Sequence, residues 1–477
     1  MPTGGRLPAK PSRSRHGFAA AASRYGVRLL HYSDVENAHD DPERIARLAG
    51  LLRELDGDDA VVCGTGDNVA PGVLPLVTRG EQALDFFAAA DPDLSTFGNH
   101  DFDFGLDRTA ELVARSPQRW LSANVSVDGA PVAGADPWTV RSVGGRRVGF
   151  LGLTDPTTPS GTDDVAALSF DDPVEATRRA VAAMDDPDDV VVLSHLGRAD
   201  DRLAAACDVD VVLGGHVHSE RVERVAGTLL TRPGDGGRTV LEVDLADRSV
   251  TRHPVADGPL AAALAERYRR RLDEAGLDEV VARVDEPVER TDREAFRGES
   301  RVGNFVADAY RWAAERDLGS VPPVVGLQNS GGIRTGPPLA GEVTVADLVG
   351  LVPFGEPVAV VELSGRALRS TFREAADTTG FGEADWWHAH VSGARLRYDH
   401  ADDALLSARV DGDPVDDDAR YRLAVSAFLL ETDTEFPTLT GRDPLARYGA
   451  QYEVLVDYAR TVGVEPTVEG RIVRRGL

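Results

Sequence analysis

Eight side chains that can bind a metal ion follow one another along the first half of the chain. Each lies in a short polar or glycine-containing stretch. One such stretch means little, because a lone Gly-Asp is usually a turn and a lone histidine near a strand end is usually structural. Five stretches in succession, each behind an apolar run, are hard to explain as turns. The candidate ligands are Asp34, Glu36, Asp67, Asn99, His100, His195, His216 and His218.

This mixture of carboxylate, carboxamide and imidazole groups indicates hydrolysis of phosphoesters. Two divalent ions about 3.5–4 Å apart can hold a hydroxide and both ends of an in-line displacement at phosphorus, and a carboxylate such as Asp67 can bridge them. Oxygen and nitrogen ligands suit Mn, Zn, Mg, Fe or Co. Neither Cys63 nor Cys207 belongs to the set, which argues against a structural zinc site.

The elements that must position these side chains alternate between strand-like and helix-like segments, as in a layered α/β domain. The polar stretches come just after the strands, which is where layered α/β proteins build their sites. The strands are predicted at Val27–Ser33, Asp59–Gly66, Leu94–Phe97, Val190–Leu193 and Val209–Gly214, with helices at Pro42–Leu55 and Val174–Met184.

The rest of the chain predicts a second, smaller α/β domain. Short strands with turns fill Gly227–Val255. The amphipathic pattern of Pro259–Gly276 predicts a helix, which we interpret as an interdomain connector and the place to look for a hinge. Beyond it, helices are predicted near Val302–Arg316, Val345–Leu351 and Ser364–Ala375, and strands near Val324–Leu327 and Pro357–Leu363.

Composition limits the class of protein and its partners. With 477 residues, 42% of them hydrophobic, the chain is long enough for two globular domains. No apolar run reaches the roughly 18 residues of a membrane span, and Phe18–Ala22 is too short and weakly apolar for a signal peptide. We therefore predict a cytoplasmic protein without a membrane partner. The net charge of −27 disfavours nucleic acid as a partner.

The acidity also suggests a very salty cytoplasm. The isoelectric point is about 4.8, and Lys10 is the single lysine. At about 1 M salt the electrostatic screening length falls to roughly 3 Å. Self-repulsion that destabilises an acidic protein in dilute buffer is then weakened. We therefore predict a halophilic source.

One motif, GNHDFDFG at residues 98–105, resembles the signature loop of calcineurin-like metallophosphoesterases in their 5′-nucleotidase form. The motif order across residues 31–218 is similar to that family's whole catalytic domain. The resemblance implies a layered α/β/β/α sandwich with two divalent metal ions and a metal-bridging hydroxide as the nucleophile. It implies that one ion is held by Asp34, Glu36, Asp67 and His218, and the other by Asp67, Asn99, His195 and His216.

The same resemblance makes His100 and Asp103 the catalytic pair. His100 would donate a proton to a phosphate oxygen or to the leaving alkoxide, and Asp103 would orient it and keep it protonated. One departure concerns the first motif, which is Asp-x-His in the family and Asp34-Val35-Glu36 here. Glu36 can still ligate through a carboxylate oxygen and would favour harder ions. His39 is the alternative ligand, although it would need a different loop path.

A second motif, QNSGGIR at residues 328–334, resembles the NGGGIR motif of the 5′-nucleotidase C-terminal domain, and GNFVADA at 303–309 resembles a helix start of that domain. In the family this domain binds the nucleoside, with arginines on the phosphate or a carboxamide-like edge and two aromatic rings around the base. The implied substrate-binding residues are Asn329, Arg334, Phe354 and Phe428, with Arg297 or Arg301 as helpers.

The two resemblances imply the domain organisation and the activity. They give a disordered tail at 1–24, a metallophosphoesterase catalytic domain at 25–257, a linker helix region at 258–291 and a substrate-binding domain at 292–477. The expected activity is hydrolysis of 5′-nucleotides to nucleoside and phosphate.

Two departures keep other readings open. Glu356 stands where the family usually has Asn, and residues 430–436 lack the family's glycines, so this loop should take another shape. The alternatives are a related phosphoesterase (a 2′,3′-cyclic nucleotide phosphodiesterase or a nucleotide-sugar pyrophosphatase) and a non-catalytic nucleotide- or metal-binding protein with a degraded site.

Overall fold

The computed structural model describes residues 26–156, 165, 167–376, 386–432 and 435–476. The tail predicted at 1–24 lies outside these ranges. The chain divides into two compact units, and the division falls after Ala275. Within the described residues, no helix is both long and apolar enough to cross a membrane.

The strands of the first unit alternate with helices up to Trp120 and again between Leu168 and Gly214, as the sequence predicts, whereas the strands from Val125 to Thr154 and from Arg221 to Pro254 have no α-helix between them. In chain order they are β1 (Arg28–Tyr32), β2 (Ala60–Thr65), β3 (Leu94–Thr96), β4 (Arg119–Trp120), β5 (Val125–Val127), β6 (Ala130–Pro131), β7 (Trp138–Val143), β8 (Arg146–Thr154), β9 (Leu168–Phe170), β10 (Asp189–His195), β11 (Val211–Gly214), β12 (Arg221–Val225), β13 (Thr228–Arg232), β14 (Thr239–Asp244) and β15 (Val250–Pro254).

The helices of the first unit include the two predicted at Pro42–Leu55 and near Val174–Met184. They are α1 (Pro42–Leu55), α2 (Val73–Thr78), α3 (Glu81–Ala90), α4 (Leu106–Arg115), α5 (Pro173–Ala183), α6 (Asp200–Ala206) and α7 (Ala262–Glu274). Helix α1 begins where Asp41 accepts hydrogen bonds from the main-chain N–H groups of Glu43 and Arg44, with Pro42 at the first helical position.

Two six-stranded sheets form the centre of the first unit. Their strand orders are β15-β14-β1-β2-β3-β4 and β12-β13-β11-β10-β8-β7. Strands β1 to β4 are mutually parallel, and so are β8, β10, β11 and β13. One buried apolar cluster takes Leu29 and Val61 from the first sheet and Val191 and Leu213 from the second, so the sheets pack face to face.

Helices cover the outer faces of both sheets. On the first sheet, Phe86 of α3 meets the ring of Tyr32 edge-on, and Phe87 does the same with Trp120. On the second sheet, Val174 of α5 and Leu203 of α6 pack in one buried cluster with β-strand residues such as Val192. This layering confirms the predicted α/β/β/α sandwich.

The second unit is a smaller α/β domain, which also agrees with the prediction. Its helices are α8 (Asp292–Phe296), α9 (Arg301–Leu318), α10 (Val345–Leu351), α11 (Gly365–Glu374), α12 (Phe428–Glu431) and α13 (Gln451–Val462). Its strands are β16 (Val280–Arg290), β17 (Val324–Asn329), β18 (Gly336–Thr344), β19 (Pro357–Ser364), β20 (Ala389–Ser392), β21 (Ala394–Asp399), β22 (Ala404–Val410), β23 (Asp413–Pro414), β24 (Arg420–Ser426), β25 (Ala446–Ala450) and β26 (Ile472–Arg475).

The largest sheet of this unit has the order β20-β17-β24-β19-β25, and a four-stranded sheet has the order β23-β22-β21-β26. The long helix α9 begins where the Ser300 hydroxyl accepts from Gly303 N–H, and it ends at Gly319, whose φ is +70°. Its buried face, with Phe305 and Tyr310, packs in a cluster that includes Val360 of β19. The helix therefore lies against the five-stranded sheet.

Candidate metal centre

The predicted ligands of the first unit all lie at the carboxyl ends of neighbouring parallel strands. Asp34 follows β1, Asp67 follows β2, and Asn99 follows β3. His195 is the last residue of β10, so this strand extends two residues beyond its predicted end. His216 and His218 follow β11. Parallel strands bring their carboxyl ends to one edge of a sheet, and the two packed sheets bring both edges together.

One group of possible ligands contains Asp67, His195 and His216, whose ligand atoms lie within 4.8 Å of one another. His195 is fully buried, and its Nε2 lies 3.0 Å from Oδ2 of Asp67. Its Nδ1 lies 2.7 Å from the carbonyl oxygen of Thr65. A carbonyl can only accept, so Nδ1 carries a proton and Nε2 is the nitrogen directed at the site.

A second group contains Asp34, Glu36 and His218, again within 4.8 Å. Nε2 of His218 lies 2.9 Å from Oε1 of Glu36, and Glu36 is only 5% exposed. The two groups are linked, because the main-chain N–H of His216 donates to Oδ1 of Asp34 over 3.1 Å. Each group contains three of the four ligands that the resemblance implies for one ion: the first lacks Asn99, and the second lacks Asp67. Asn99 is buried and precedes His100 in the chain.

Four of these residues have a left-handed backbone. Asp34, Glu36, Asp67 and His216 have φ values of +47°, +46°, +51° and +72°. Such values are uncommon outside glycine and cost free energy, so they persist only where the surroundings fix them. Their concentration at one place is typical of a functional site.

His39 lies outside both groups. Its Nε2 is 3.0 Å from the carbonyl oxygen of Asn68, and its Nδ1 is 2.9 Å from the hydroxyl of Tyr268. Burial lowers the pKa of His39 to about 4. The structure therefore brings Glu36, and not His39, to Asp34 and His218.

The carboxylates of the site are buried close to one another, which changes their pKa values. Burial, with the charge of Asp67 adding to it, raises the pKa of Asp34 well above its usual range. Burial also raises the pKa of Glu36. Burial would raise the pKa of Asp67 too, but the nearby His195 and His100 lower it below the usual range. Carboxylates crowded in this way are the kind of group that divalent cations neutralise.

His100 lies beside the first group. Its main-chain N–H donates to Oδ1 of Asp67 over 2.8 Å, and its Nδ1 lies 2.9 Å from Oδ2 of Asp103. Burial would lower the pKa of His100, but the hydrogen bond to Asp103 and the charges of Asp67 and Asp103 raise it to about 9. A protonated imidazole oriented by a carboxylate can act as a general acid.

Asp101 is a residue of the site that the sequence reasoning missed. Its Oδ2 accepts from the main-chain N–H groups of Gly98 (2.8 Å) and Asp67 (3.0 Å), and its Oδ1 accepts from those of Asn68 (3.2 Å) and Val69 (3.1 Å). The side chain therefore ties the loop after β2 to the loop after β3. Its place inside the GNHDFDFG motif was the available signal, but sequence alone gives no role to this aspartate.

In the second unit, the structure brings some of the predicted substrate-binding residues together. The guanidinium of Arg334 lies 5.0 Å from the ring centre of Phe354, a cation–π contact. Asn329 ends β17, and its Nδ2 donates to Oε2 of Glu435 over 2.8 Å. Phe428 begins α12 and is 38% exposed.

The two helper arginines differ in their surroundings. The guanidinium of Arg301 donates to the main-chain carbonyls of Pro466, Pro287 and Glu286, at 2.9, 2.9 and 3.2 Å, so it supports the fold at the start of α9. Arg297 is exposed just after α8.

Glu435 and His388 are neighbours of this second cluster that the sequence did not single out as binding residues. Nε2 of His388 lies 2.7 Å from the same Oε2 of Glu435 that accepts from Asn329. The ring of Phe436 stacks on His388 at 5.6 Å. In the loop that departs from the family, Asp433 and Thr434 lie outside the described residues.

Two family models match the chain in succession. The calcineurin-like phosphoesterase model matches residues 27–220, and the model of the 5′-nucleotidase C-terminal domain matches residues 280–441. Together they take in about three quarters of the chain. The chain belongs to the calcineurin-like phosphoesterases that carry a 5′-nucleotidase C-terminal domain. The two matches confirm the family predicted from the GNHDFDFG and QNSGGIR motifs. Proteins of this family are hydrolases that act on phosphoesters.

Individual relatives of this phosphoesterase are distant. A trifunctional nucleotide phosphoesterase protein of Bacillus subtilis (strain 168) is 23% identical, over 94% of this chain and 35% of its own length, so this chain spans about one third of that relative. The 5′-nucleotidase of Bos taurus is 24% identical, over 95% of this chain and 91% of its own. Among solved structures, the 5′-nucleotidase precursor of Thermus thermophilus has a TM-score of 0.73 at 24% identity, covering 94% of this chain and 99% of the other. That likeness concerns the fold.

Proposed function

We propose that this phosphoesterase hydrolyses 5′-nucleotides to nucleoside and phosphate at a centre of two divalent metal ions, as a step of nucleotide breakdown. The observation that carries the proposal is the pair of adjacent three-residue ligand groups at the strand ends, with His100 in hydrogen-bonding contact with Asp67. In this proposal one ion is held by Asp34, Glu36, Asp67 and His218, and the other by Asp67, Asn99, His195 and His216.

The chemistry of the donor groups fits such ions. The ligand atoms are carboxylate oxygens, an amide oxygen and imidazole nitrogens, the set that Mn, Fe, Zn or Co accept. The raised pKa of Asp34 supports the fit. Burial and the negative charge of Asp67 both disfavour the ionised carboxylate, and a bound cation would stabilise it. Two ions bound there would supply Lewis acidity toward a phosphoryl oxygen and would make a water acidic.

The protein's own part in the reaction is proton transfer and orientation. Asp103 holds Nδ1 of His100, so Nε2 is the ring atom that can give a proton to a substrate oxygen. His195 is held in one tautomer by Thr65, and Asp101 fixes the loops that carry Asp67 and Asn99. These contacts keep the reacting groups in place before a substrate arrives.

The second unit would bind the nucleoside part of the substrate. Arg334 offers a planar guanidinium for a phosphate or a ribose-linked oxygen pair. Phe354, which Arg334 already contacts, and the partly exposed Phe428 offer ring faces for a base. Stacking on an aromatic side chain is worth roughly 1–3 kcal/mol per base.

Phosphate release from 5′-AMP, with Mn²⁺ in molar KCl, tests the proposal. Release that EDTA abolishes is the expected result. His100→Ala should lower turnover roughly 100-fold or more while the metal content stays the same. His253→Ala is the matched control, since this histidine also pairs with a carboxylate (Glu242, 2.9 Å) but lies on the edge strand β15. Equal turnover in the wild type and His100→Ala would contradict the assigned acid.

One observation favours a second candidate, a related phosphoesterase with another nucleotide substrate. The carboxylate of Glu435 contacts the motif residue Asn329 from a loop that differs from the family's. This contact changes the polar groups around Asn329 from those of the family, which favours a substrate other than a plain 5′-nucleotide. Release of product from 2′,3′-cyclic AMP or from a nucleotide sugar, without release from 5′-AMP, would decide for this candidate.

A further inference from the structure

The short turn at Gly66–Asn68, which carries the proposed bridging ligand, is held at nearly every main-chain polar group. The carbonyl oxygen of Gly66 accepts from Asp34 N–H (3.0 Å) and that of Asp67 from Glu36 N–H (3.3 Å). The N–H groups of Asp67 and Asn68 both donate to Asp101. The left-handed φ of Asp67 (+51°) explains the need for these contacts, because a strained residue stays in place only where its surroundings over-determine it.

A fifth main-chain group of this turn, the carbonyl oxygen of Asn68, contacts His39. The distance to Nε2 is 3.0 Å, and both residues are fully buried. A carbonyl only accepts, so Nε2 must carry the ring proton. Burial keeps His39 neutral by lowering its pKa to about 4, and its Nδ1 is therefore an acceptor.

Tyr268 of helix α7 contacts His39 on this side of the ring. Its hydroxyl donates to the carbonyl oxygen of Gln82 over 2.8 Å, and its oxygen lies 2.9 Å from Nδ1 of His39. The two rings also stack, with centres 5.9 Å apart and planes 9° from parallel. The Asn68 carbonyl selects the His39 tautomer, and the stacking on Tyr268 fixes the plane of the ring.

Helix α7 is itself fastened to α3, which makes Tyr268 a firm support. Arg267 and Arg271, on either side of Tyr268 in sequence, contact the two oxygens of Asp85 at 2.8 and 2.6 Å. The Tyr268 side chain is fully buried between these elements. The chain Tyr268–His39–Asn68 therefore runs without interruption from a packed helix to the residue after Asp67.

We infer that His39 and Tyr268 are positioning residues for the metal centre, which hold Asp67 at the place where it can bridge two ions by fixing the main chain of Asn68. The inference rests on the proposed metal centre. It gives His39 a role different from direct ligation, which its sequence position left open. Residues that hydrogen-bond to a metal ligand, or to the main chain that carries it, typically weaken metal binding when they are removed, although they do not contact the ion.

Mn²⁺ affinity, measured by competition with a chelating dye, is the readout. His39→Ala should weaken Mn²⁺ binding roughly tenfold or more. His39→Gln, whose amide N–H can still reach the Asn68 carbonyl, should restore most of the affinity. Tyr268→Phe keeps the stacked ring and removes only the hydroxyl, so it should give a smaller loss than His39→Ala. Melting temperatures of the metal-free variants show how much of each effect is general destabilisation.

Arg267→Ala is the matched control, because it loosens the same helix one residue away without touching His39. We expect it to lower the melting temperature and to leave Mn²⁺ affinity unchanged. Equal losses of affinity in Arg267→Ala and Tyr268→Phe, or no recovery in His39→Gln, would overturn the positioning role while the metal centre stands. A wild-type protein that binds no Mn²⁺ would overturn the proposed function and this inference with it.

Discussion

Replacing Asp103 with Asn should move the pH dependence of catalysis. His100 has a pKa near 9, well above the ordinary 6.5 of histidine, although burial alone would lower it. The hydrogen bond and charge of Asp103, at 2.9 Å from Nδ1, are the first cause of the rise, and the charges of Asp67 and Glu36 add to it. Cations held by Asp67 and Glu36 would cancel those two charges, which leaves Asp103 as the main support of the protonated ring.

The direction of the effect follows from the role of His100 as an acid. An acid works while it is protonated, so activity should be present below the pKa of His100 and should fall as the pH rises through it. An opposite charge in contact with a titrating group shifts its pKa by roughly one to three units. In Asp103→Asn the alkaline limb of kcat/KM should therefore move down by one unit or more, toward neutral pH.

Profiles of kcat/KM between pH 5.5 and 10.5 at saturating Mn²⁺ measure this limb. A titration of the His100 ring by NMR, in the wild type and in Asp103→Asn, identifies the group. Asp107→Asn, an exposed carboxylate four residues further along in the first turn of α4, is the control and should leave the limb in place. The reasoning is refuted if the limb stays fixed in Asp103→Asn while the NMR pKa of His100 falls, because the limb then belongs to another group.

Three further predictions concern the metal centre and the fold. Asp101→Ala removes the acceptor of four buried N–H groups, so the free energy of unfolding in urea should fall by several kcal/mol, at roughly 1–3 kcal/mol for each orphaned donor. Asp67→Ala should leave fewer than two Mn²⁺ ions per chain by elemental analysis; retention of two would contradict the bridging role. The melting temperature should rise from dilute buffer to molar KCl, since a net charge of −27 is then screened over roughly 3 Å. An unchanged melting temperature would remove the halophile hypothesis.

The strands and the order of the ligands could be predicted from the sequence because both depend on local patterns. The apolar run Val61–Val62–Cys63 is buried on both faces of a parallel strand, so it reads as a continuous hydrophobic segment ending at the turn that carries Asp67. The extent of the strand at His195 was less accurate, since a ligand that closes a strand looks like a loop residue in the sequence. The second-unit strands β20 to β26 pair mostly through contacts distant in sequence, so local patterns do not show which strands are neighbours.

Long-range contacts explain why the supporting residues of the site escaped the sequence reasoning. The Tyr268 hydroxyl reaches His39 across 229 positions of the chain, and the Thr65 carbonyl meets His195 across 130. No spacing rule relates such pairs. Asp101 is separated from Asp67 by only 34 positions. Its four hydrogen bonds are to main-chain N–H groups, so the side chains of its partners do not indicate the contact in the sequence.

The choice between Glu36 and His39 shows how backbone conformation decides what spacing cannot. The two residues lie three apart in the 3-10 helix Glu36–Asp40, and in a regular 3-10 helix such side chains lie one above the other. The left-handed φ of +46° at Glu36 breaks that register, so its carboxylate contacts His218 while His39 contacts Asn68 and Tyr268. The strained backbone of Glu36 thus directs this proposed metal ligand to His218, while His39 contacts the loop that carries Asp67. Substituting Glu36 by His, the residue of the family motif, would have to keep that strained backbone to place an imidazole beside Asp34.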